Sequence, residues 1–394
     1  MNLPLAGVKV LDISRVVAGP YCTMLLGDLG AEIIKVEMPG KGDETRAWGP
    51  PFVEGESTYY LSINRNKKSI TVDMKSEKGR EILLKLAAEC DVIIENFLPG
   101  TTKRLGLDYE SVRKVKPDII YCSISGFGQD GPFQSFPAFD LMMQGIGGLM
   151  SLTGEEDGNP VRIGVALIDL GAAMYAALGI LSALLVKKES GQGQYVDVSL
   201  LDTEVSWLTY VAAAYLANGQ MPKRMGTAHP SIVPYQAYKA RDKYFILAVG
   251  NDAIWQRFCK GMNFDFADDP KFATNVMRVK HRDELNAILN DTFAQKDVAE
   301  WLKILEEAKV PCGPVNDISE VVNHPQVKHR NMIVELEHPK AGSVKVPGSP
   351  IKLSLTPPEY KLHPPLLGEH AEEILISLGY SEQEIVTMKE EGVI

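Results

Sequence analysis

The stretch ALIDLGAAMYAALGILSALLV, residues 166–186, decides how the rest of this chain is interpreted. Asp169 is the only charged residue in these 21 positions. A helix of this length can cross a bilayer. However, the charge lies close to one end, no basic residues precede it, and polar amphipathic sequence flanks both sides. We therefore predict that the stretch forms a core helix and does not span a membrane.

Asp169 has two interpretations. Aspartate is among the best N-cap residues, so it could simply begin the helix. Alternatively, the small residues Gly171, Ala172 and Ala173 leave space over the first turn, where backbone N–H groups and the helix dipole favour an anion. A desolvated carboxylate in that position can act as a nucleophile. Local sequence leaves both interpretations open.

Composition restricts the class of protein. The chain has 394 residues, 45% of them hydrophobic and 23% charged, which predicts a globular protein with room for two domains and a large core. The net charge of −10 argues against nucleic-acid binding but allows a phosphate-bearing ligand where cations cluster locally. Five scattered cysteines without CxxC spacing favour a reducing compartment and no zinc or disulfide framework. The start of the chain reads as a strand and not as a leader, so we expect a cytoplasmic protein.

The first half of the chain alternates short apolar runs with amphipathic stretches, which predicts an α/β domain with a mostly parallel sheet. The predicted strands are Val8–Leu11, Glu32–Val36, Ser69–Val72, Val92–Glu95 and Ile119–Ser123. The predicted helices are Pro20–Leu29, Glu77–Glu89, Tyr109–Val115, Asp169–Lys187, Ser199–Asn218, Glu369–Leu378 and Ser381–Lys389. Residues 219–234 predict a linker to a second unit, and the proline-rich tail predicts an extended surface segment.

Three local motifs were weighed for ligand binding. Gly126-Phe-Gly-Gln-Asp-Gly131 matches a dinucleotide fingerprint, but Pro132 and Pro137 oppose the required helix, so we predict a tight turn. Residues 64–75 carry four cations, Arg65, Lys67, Lys68 and Lys75, which suit either a solvated loop or, with Lys103 and Arg104, a polyphosphate patch. Asn96 and Phe97 follow a strand, where they could bind an adenine, or Phe97 could pack in the core. The histidines show no ligand spacing, so no metal is expected.

Taken in order, several strings resemble the class III CoA-transferases over nearly the whole chain. They are LDISRVVAGP (11–20), GDLGAEIIKVE (27–37), GDETR (42–46), NRNKKSI (64–70), ENF (95–97), SGFGQ (125–129), GQGQ (191–194), PCGPVN (311–316) and PPLLGEH (364–370). Each string is weak alone, and their joint order carries the assignment.

The resemblance implies a function for Asp169. In this family the aspartate at that position attacks the donor thioester, and CoA then passes through an aspartyl anhydride and an aspartyl thioester to an acceptor acid. No tightly bound cofactor is implied, because the CoA thioester is a substrate. The resemblance places CoA contacts on Val16, Val17, Ala18, Val72, Lys75, Asn96, Phe97, Arg104 and Phe139.

Departures from the family pattern narrow the substrate. Met38 and Pro39 stand where some members have an arginine, and Arg46, Lys67 or Lys68 could replace its charge. AVGND (248–252) replaces a glycine-rich lid, which argues against oxalate as the acceptor. AFD (138–140) lacks the histidine of the racemase members, which argues against an α-methylacyl-CoA racemase. A non-catalytic protein that binds CoA esters is the remaining alternative.

Other strings resemble members that transfer CoA from succinyl-CoA to a dicarboxylic acid. They are GDETRAWGPP (42–51), TYYLS (58–62) and GTAHPSIVPY (226–235). For such an acceptor, Arg46 or His229 could bind the distal carboxylate. The family fold implies a Rossmann-like large domain over 1–218, completed by the tail 335–394, and a smaller α+β domain over 219–334. It also implies a homodimer of interlocked, ring-like subunits.

Overall fold

A parallel sheet forms the centre of the larger of two compact units. The structure is a computed structural model that describes all 394 residues. The first unit comprises residues 1–149, 162–218 and 328–394, and the second comprises 150–161 and 219–327. The chain thus leaves the first unit twice and returns to it twice.

Thirteen strands are present, and the five that correspond to predicted strands, β1, β2, β5, β6 and β7, differ from them by at most two residues at either end. In chain order they are β1 Lys9–Asp12, β2 Glu32–Glu37, β3 Phe52–Val53, β4 Glu56–Ser57, β5 Lys67–Thr71, β6 Val92–Glu95, β7 Ile120–Ser125, β8 Tyr195–Ser199, β9 Tyr235–Lys239, β10 Tyr244–Ala248, β11 Cys312–Pro314, β12 Ile333–His338 and β13 Gly342–Pro347.

Eighteen α-helices connect them. They are α1 Ala18–Asp28, α2 Thr58–Ile63, α3 Glu77–Glu89, α4 Thr101–Leu105, α5 Tyr109–Val112, α6 Asp140–Ile146, α7 Leu149–Leu152, α8 Leu167–Ser190, α9 Leu200–Trp207, α10 Thr209–Asn218, α11 Asp252–Met262, α12 Asn275–Lys280, α13 Arg282–Phe293, α14 Val298–Glu307, α15 Ile318–Asn323, α16 Pro325–His329, α17 Ala371–Ser377 and α18 Glu382–Glu390.

The central sheet has the strand order β5-β2-β1-β6-β7-β8, and every neighbouring pair is parallel. The mixed α/β class and the parallel sheet predicted from the sequence are therefore confirmed. The strand order reverses between β1 and β6, because β2 lies on one side of β1 and β7 on the far side of β6. Crevices at such switch points, beyond the carboxyl ends of the strands, are where open α/β sheets bind ligands.

The apolar stretch of residues 166–186 forms most of α8. Its small-residue face, including Ala172, Ala173 and Ala176, is fully buried and packs with α1 in one apolar core cluster. Gly171 allows a close approach, because a Cβ at this position would overlap the Trp207 ring. By length and hydropathy α8 is the one helix in the chain that could cross a membrane. Its buried face instead belongs to the core of the first unit.

Two segments differ from the sequence prediction. The single helix predicted over 199–218 is broken into α9 and α10, because Thr209 adopts a positive φ of 35° that an α-helix does not contain. Just before the proline-rich tail, β12 and β13 pair as an antiparallel hairpin that the sequence did not predict, and its Leu336, Val344 and Val346 form a small core with Leu61. The proline-rich residues 348–370 contain no helix or strand. No helix opens at the glycine-rich segment 126–131.

The second unit has its own core. Its antiparallel sheet, in the order β11-β10-β9, is covered by helices α11 to α14. Phe245, Trp255, Phe258 and Phe293 are completely buried there. His229 belongs to this unit, where its backbone N–H donates to the Tyr235 carbonyl at 3.0 Å.

Candidate active site

A cavity of about 330 Å³ opens beyond the carboxyl ends of β1 and β6, at the switch point of the sheet. Its walls are segments 15–18, 96–99, 124–126 and 136–139, together with Glu44, Trp48, Asp169 and Leu200. Seven of the residues proposed from the sequence meet here: Val16, Val17, Ala18, Asn96, Phe97, Phe139 and Asp169. All of them belong to the first unit.

Asp169 is not the N-cap of α8. The helix begins at Leu167, so Asp169 lies within its first turn, and Ala166 at the cap position supplies no side-chain hydrogen bond. The cap comes instead from Asp140, whose Oδ1 accepts the N–H of Ile168 at 2.8 Å and of Asp169 at 3.4 Å. The Asp169 side chain is therefore not used for capping and faces the cavity.

The surroundings of Asp169 disfavour its charge. Burial, and secondly the negative charge of Asp140, raise the pKa of Asp169 from 3.8 to about 7. The backbone N–H groups and dipole at the start of α8 favour the anion, but desolvation outweighs them and sets the direction of the pKa shift. A carboxylate with a pKa near 7 is poorly solvated and more basic than a free one, which suits a nucleophile working near neutral pH.

Asn96 and Phe97 hold the wall of the cavity. The Asn96 Oδ1 accepts the N–H of Arg15 at 2.9 Å, and its Nδ2 donates to the carbonyl of Arg15 at 2.7 Å. The amide is thus already paired, so hydrogen bonding between this side chain and an adenine receives no support from the structure. Phe97 is only 9% exposed and packs into the core while one surface reaches the cavity.

Three further side chains near Asp169 were not identified from the sequence. Arg15 lines the cavity, where its guanidinium pairs with Glu44 at 2.5 Å and lies over the Phe97 ring at 5.3 Å. Tyr59 stacks edge-on against Trp48 at 5.1 Å. Burial and then the charge of Asp169 raise the Tyr59 pKa, which places its phenol within electrostatic range of that carboxylate. Single residues from two loops and the start of α2 give no periodic signal, so only the fold could reveal this cluster.

Other residues proposed from the sequence lie outside the cavity. Val72 is 1% exposed and belongs to the core. Lys75 is an exposed side chain after β5. Arg104 is exposed on α4, the helix that follows segment 96–99, and donates to Thr101 at 2.9 Å. Arg46 pairs with Glu37 through two hydrogen bonds of 2.7 Å and also donates to Tyr60 and to the carbonyl of Pro365. His229 lies in the second unit.

The cation cluster at 64–75 is mainly internal, and neither interpretation from the sequence holds for its centre. Arg65 is 1% exposed and pairs with Asp28 at 2.6 Å. Lys67 is fully buried, and its Nζ lies 3.2 Å from Asp12. Lys68 pairs with Glu32 and Glu373 on the surface. None of these cations, nor Arg46, is therefore free to replace the arginine absent at Met38, because each is bound by a carboxylate.

The fold and this cavity define a class of enzyme when the chain is compared with known proteins. The model of CoA-transferase family III matches residues 5–371. The chain belongs to this family and is a class III CoA-transferase, as its motifs indicated. CoA thioesters are the substrates of such enzymes.

The similarity extends to individual relatives. The chain is 46% identical to the human succinyl-CoA:glutarate CoA-transferase over 393 residues, which cover 99% of this chain and 90% of that protein. It is 43% identical to the succinate–glutarate CoA-transferase of Agrobacterium fabrum, covering 95% of this chain and 96% of the relative. The crystal structure of a CAIB/BAIF family protein from Brucella suis is 42% identical and superposes with a TM-score of 0.86, covering 96% of this chain and all of that one.

Proposed function

We propose that this enzyme transfers CoA from succinyl-CoA to a dicarboxylic acid of the glutarate type, with Asp169 as the covalent nucleophile. One observation carries the proposal: the carboxylate of Asp169 faces a cavity at the switch point of the sheet together with six other residues at the family's CoA-binding positions. The relatives named for succinate and glutarate, at 43 and 46% identity, support the choice of acids.

The chemistry proceeds in four balanced steps. The Asp169 carboxylate attacks the thioester carbonyl, which releases CoA as a thiolate and leaves an acyl–aspartyl anhydride. The thiolate attacks the aspartyl carbonyl, which forms an aspartyl–CoA thioester and releases the donor's carboxylate. The acceptor carboxylate then attacks that thioester and frees the thiolate again, leaving an acceptor–aspartyl anhydride. Attack of the thiolate on the acceptor's carbonyl yields the new CoA thioester and restores Asp169.

The environment of Asp169 supports these roles. A carboxylate with a normal pKa is a weak nucleophile, and partial desolvation, which raises its pKa to about 7, increases its basicity. The reacting groups remain bound in one cavity, so each attack is effectively intramolecular. Val17 and Ala18, at the start of α1, line the same cavity, and we propose that their backbone N–H groups stabilise the oxyanion that forms on the thioester.

We assign the binding of anionic groups to Arg15. It is the cation that lines the cavity. It also pairs with a carboxylate, Glu44, but both side chains of this pair are about half exposed, so the guanidinium can still reach an anionic ligand. It thereby takes the place that the sequence analysis gave to Arg46, whose guanidinium is already bound to Glu37. Lys75, exposed after β5, and Arg104, exposed on α4, remain our proposed contacts for CoA phosphates.

A transfer assay with mass-spectrometric detection tests the proposal. The enzyme is incubated with succinyl-CoA and equal amounts of glutarate, malate, itaconate, oxalate, acetate and carnitine. We expect glutaryl-CoA as the main product, and none from Asp169→Ala. Asp202→Ala serves as the matched control, because Asp202 is an exposed aspartate in the first turn of another helix, α9. Preference for a monocarboxylate would refute the acceptor class, and an active Asp169→Ala enzyme would refute the nucleophile.

We further propose that the enzyme is a cytoplasmic homodimer with interlocked subunits. Large apolar side chains on the outer faces of α8 and α10 are exposed in the single chain, including Leu178 at 60%, Leu185 at 68% and Leu216 at 81%. Exposed apolar surface of this extent is typical of subunit interfaces. All five cysteines are free thiols, which suits a reducing compartment. Light scattering during stepwise dilution should show dimers at every concentration, and folded monomers would contradict the interlocked assembly.

A further inference from the structure

Val16 holds a rare backbone conformation in the wall of the cavity. Its φ is 67°, in the left-handed region that β-branched residues almost never adopt. Such a conformation persists only where surrounding groups impose it, and it is common at functional sites. The residues that impose it on Val16 are therefore of functional interest.

Side chains bind the backbone of this segment at consecutive peptide groups. The carboxylate of Asp12 accepts the N–H of Ser14 at 3.0 Å, and the ammonium of Lys35 donates to the Ser14 carbonyl at 3.2 Å. Asn96 binds both the N–H and the carbonyl of Arg15. The N–H of Val16 itself donates to the carboxylate of Asp43, at 3.3 and 3.2 Å from its two oxygens.

Asp43 is the residue that joins this segment to the opposite wall. Its Oδ1 accepts the N–H of Thr45 at 2.9 Å and the Thr45 hydroxyl at 2.7 Å, which caps the short 3₁₀ helix Glu44–Ala47. That helix leads from Glu44 to Trp48, both of which line the cavity. One carboxylate thus fixes two walls of the same cavity.

The Asp43 carboxylate is kept ionised in a buried position. Its side chain is 1% exposed, and the Lys35 ammonium, itself fully buried, lies 2.9 Å from its Oδ2. Burial alone would raise the pKa of Asp43, but Lys35 and the two hydrogen bonds from Thr45 outweigh it and lower the pKa. The Asp43 N–H is in turn held by Glu37 at 3.0 Å. The string GDETR, which the proposed reaction leaves unexplained, is therefore the anchor of this arrangement.

We infer that Asp43 is a positioning residue that holds Val16 in the left-handed conformation and thereby presents residues 16–18 to the CoA thioester. This inference rests on one part of the proposed function, namely that the cavity lined by residues 16–18 and Asp169 binds the acyl-CoA thioester. Asp43 does not contact the reacting atoms, so its loss weakens thioester binding and alignment without removing the nucleophile.

Asp43→Asn tests the inference, with Asp28→Asn as the matched control. Both aspartates are buried and paired with a cation, but Asp28 binds Arg65 at the far end of α1, about 15 Å from its start. We expect kcat/KM for the acyl-CoA donor to fall about tenfold or more in Asp43→Asn. The reason is that the carboxylate that holds Val16 in its unfavourable left-handed conformation is then lost. In Asp28→Asn, kcat/KM per folded enzyme stays within about twofold of the unaltered enzyme.

A second substitution separates positioning from simple loss of stability. Glycine adopts positive φ without strain, so Val16→Gly in the Asp43→Asn background should restore kcat/KM by about fivefold, although Val16→Gly alone lowers it through the lost side chain. Additive losses in the double variant, or an Asp43→Asn enzyme with normal kinetics, would overturn the inference. An active Asp169→Ala enzyme would refute the proposed nucleophile and leave this result standing.

Discussion

Replacing Asp169 with asparagine should make the enzyme inactive and, above neutral pH, more stable. The pKa of Asp169 rises from 3.8 to about 7 on folding, so the folded chain binds this proton more tightly than the unfolded chain. Its effect on stability is therefore absent below about pH 4 and becomes increasingly unfavourable as the pH rises to about 7. Asparagine carries no titrating proton and avoids this cost.

The size of the effect follows from the pKa difference. One pKa unit corresponds to about 1.4 kcal/mol, which gives an upper value of about 4 kcal/mol above pH 7. Because the Asp169 side chain is partly open to the cavity and hence screened by solvent, we expect about half of this, ~2 kcal/mol. For a protein of 394 residues, whose unfolding entropy is about 0.8 kcal/mol/K, that is a rise of roughly 2–3 °C in Tm.

Thermal unfolding followed by circular dichroism between pH 5 and 8.5 measures the effect. The Tm of Asp169→Asn minus that of the unaltered enzyme should grow through this range and level off above pH 7. Asp202→Asn, at an exposed first-turn aspartate, provides the control and should show no such growth. A difference that does not change with pH, or an unaltered enzyme that is the more stable at pH 8, would refute the argument that Asp169 is held in an unfavourable environment.

Three other substitutions test separate parts of the account. Asp140→Asn keeps an oxygen that can accept the N–H of Ile168 but removes the negative charge beside Asp169. The acidic limb of the pH profile of kcat/KM, which the Asp169 carboxyl sets, should therefore move from near pH 7 to lower pH by about one unit, and an unmoved limb would contradict this. Tyr59→Phe removes the phenol near Asp169 and should lower kcat about tenfold with little change in donor KM, whereas unchanged kcat would exclude a role for the hydroxyl. Lys67→Met leaves Asp12 buried without its cation and should lower the free energy of unfolding in urea by about 3–5 kcal/mol, and a loss below about 1 kcal/mol would show that the pair is unimportant.

The sequence predicts the parallel sheet because its strands are short apolar runs separated by amphipathic stretches, a pattern set by local chemistry. It also indicates the position of the cavity. Asn96 and Phe97 directly follow one strand, and the glycine-rich turn 126–131 directly follows the next strand. What it could not predict is how side chains pair across long separations. Lys67 lies 55 residues from Asp12, and this pairing turns an apparent surface cation into a buried one.

The same limitation explains why the local sequence left the cap of α8 open. Asp169 looks like an N-cap because aspartate is common there, but the capping carboxylate is Asp140, 29 residues earlier in the chain. The break at Thr209 likewise departs from the local helical signal. The proposed role of Asp169 as nucleophile, in contrast, rests on the resemblance to a family, since a lone carboxylate in an apolar run has no distinctive local pattern.

Trapping of the covalent intermediate tests the central claim most directly. The enzyme is mixed with succinyl-CoA, quenched with hydroxylamine, digested and analysed by mass spectrometry. An activated ester or anhydride of Asp169 reacts with hydroxylamine to give a hydroxamate, so we predict this modification on the peptide containing Asp169, dependent on succinyl-CoA. Turnover without any modification at Asp169, or a hydroxamate on a different carboxylate, would contradict the account.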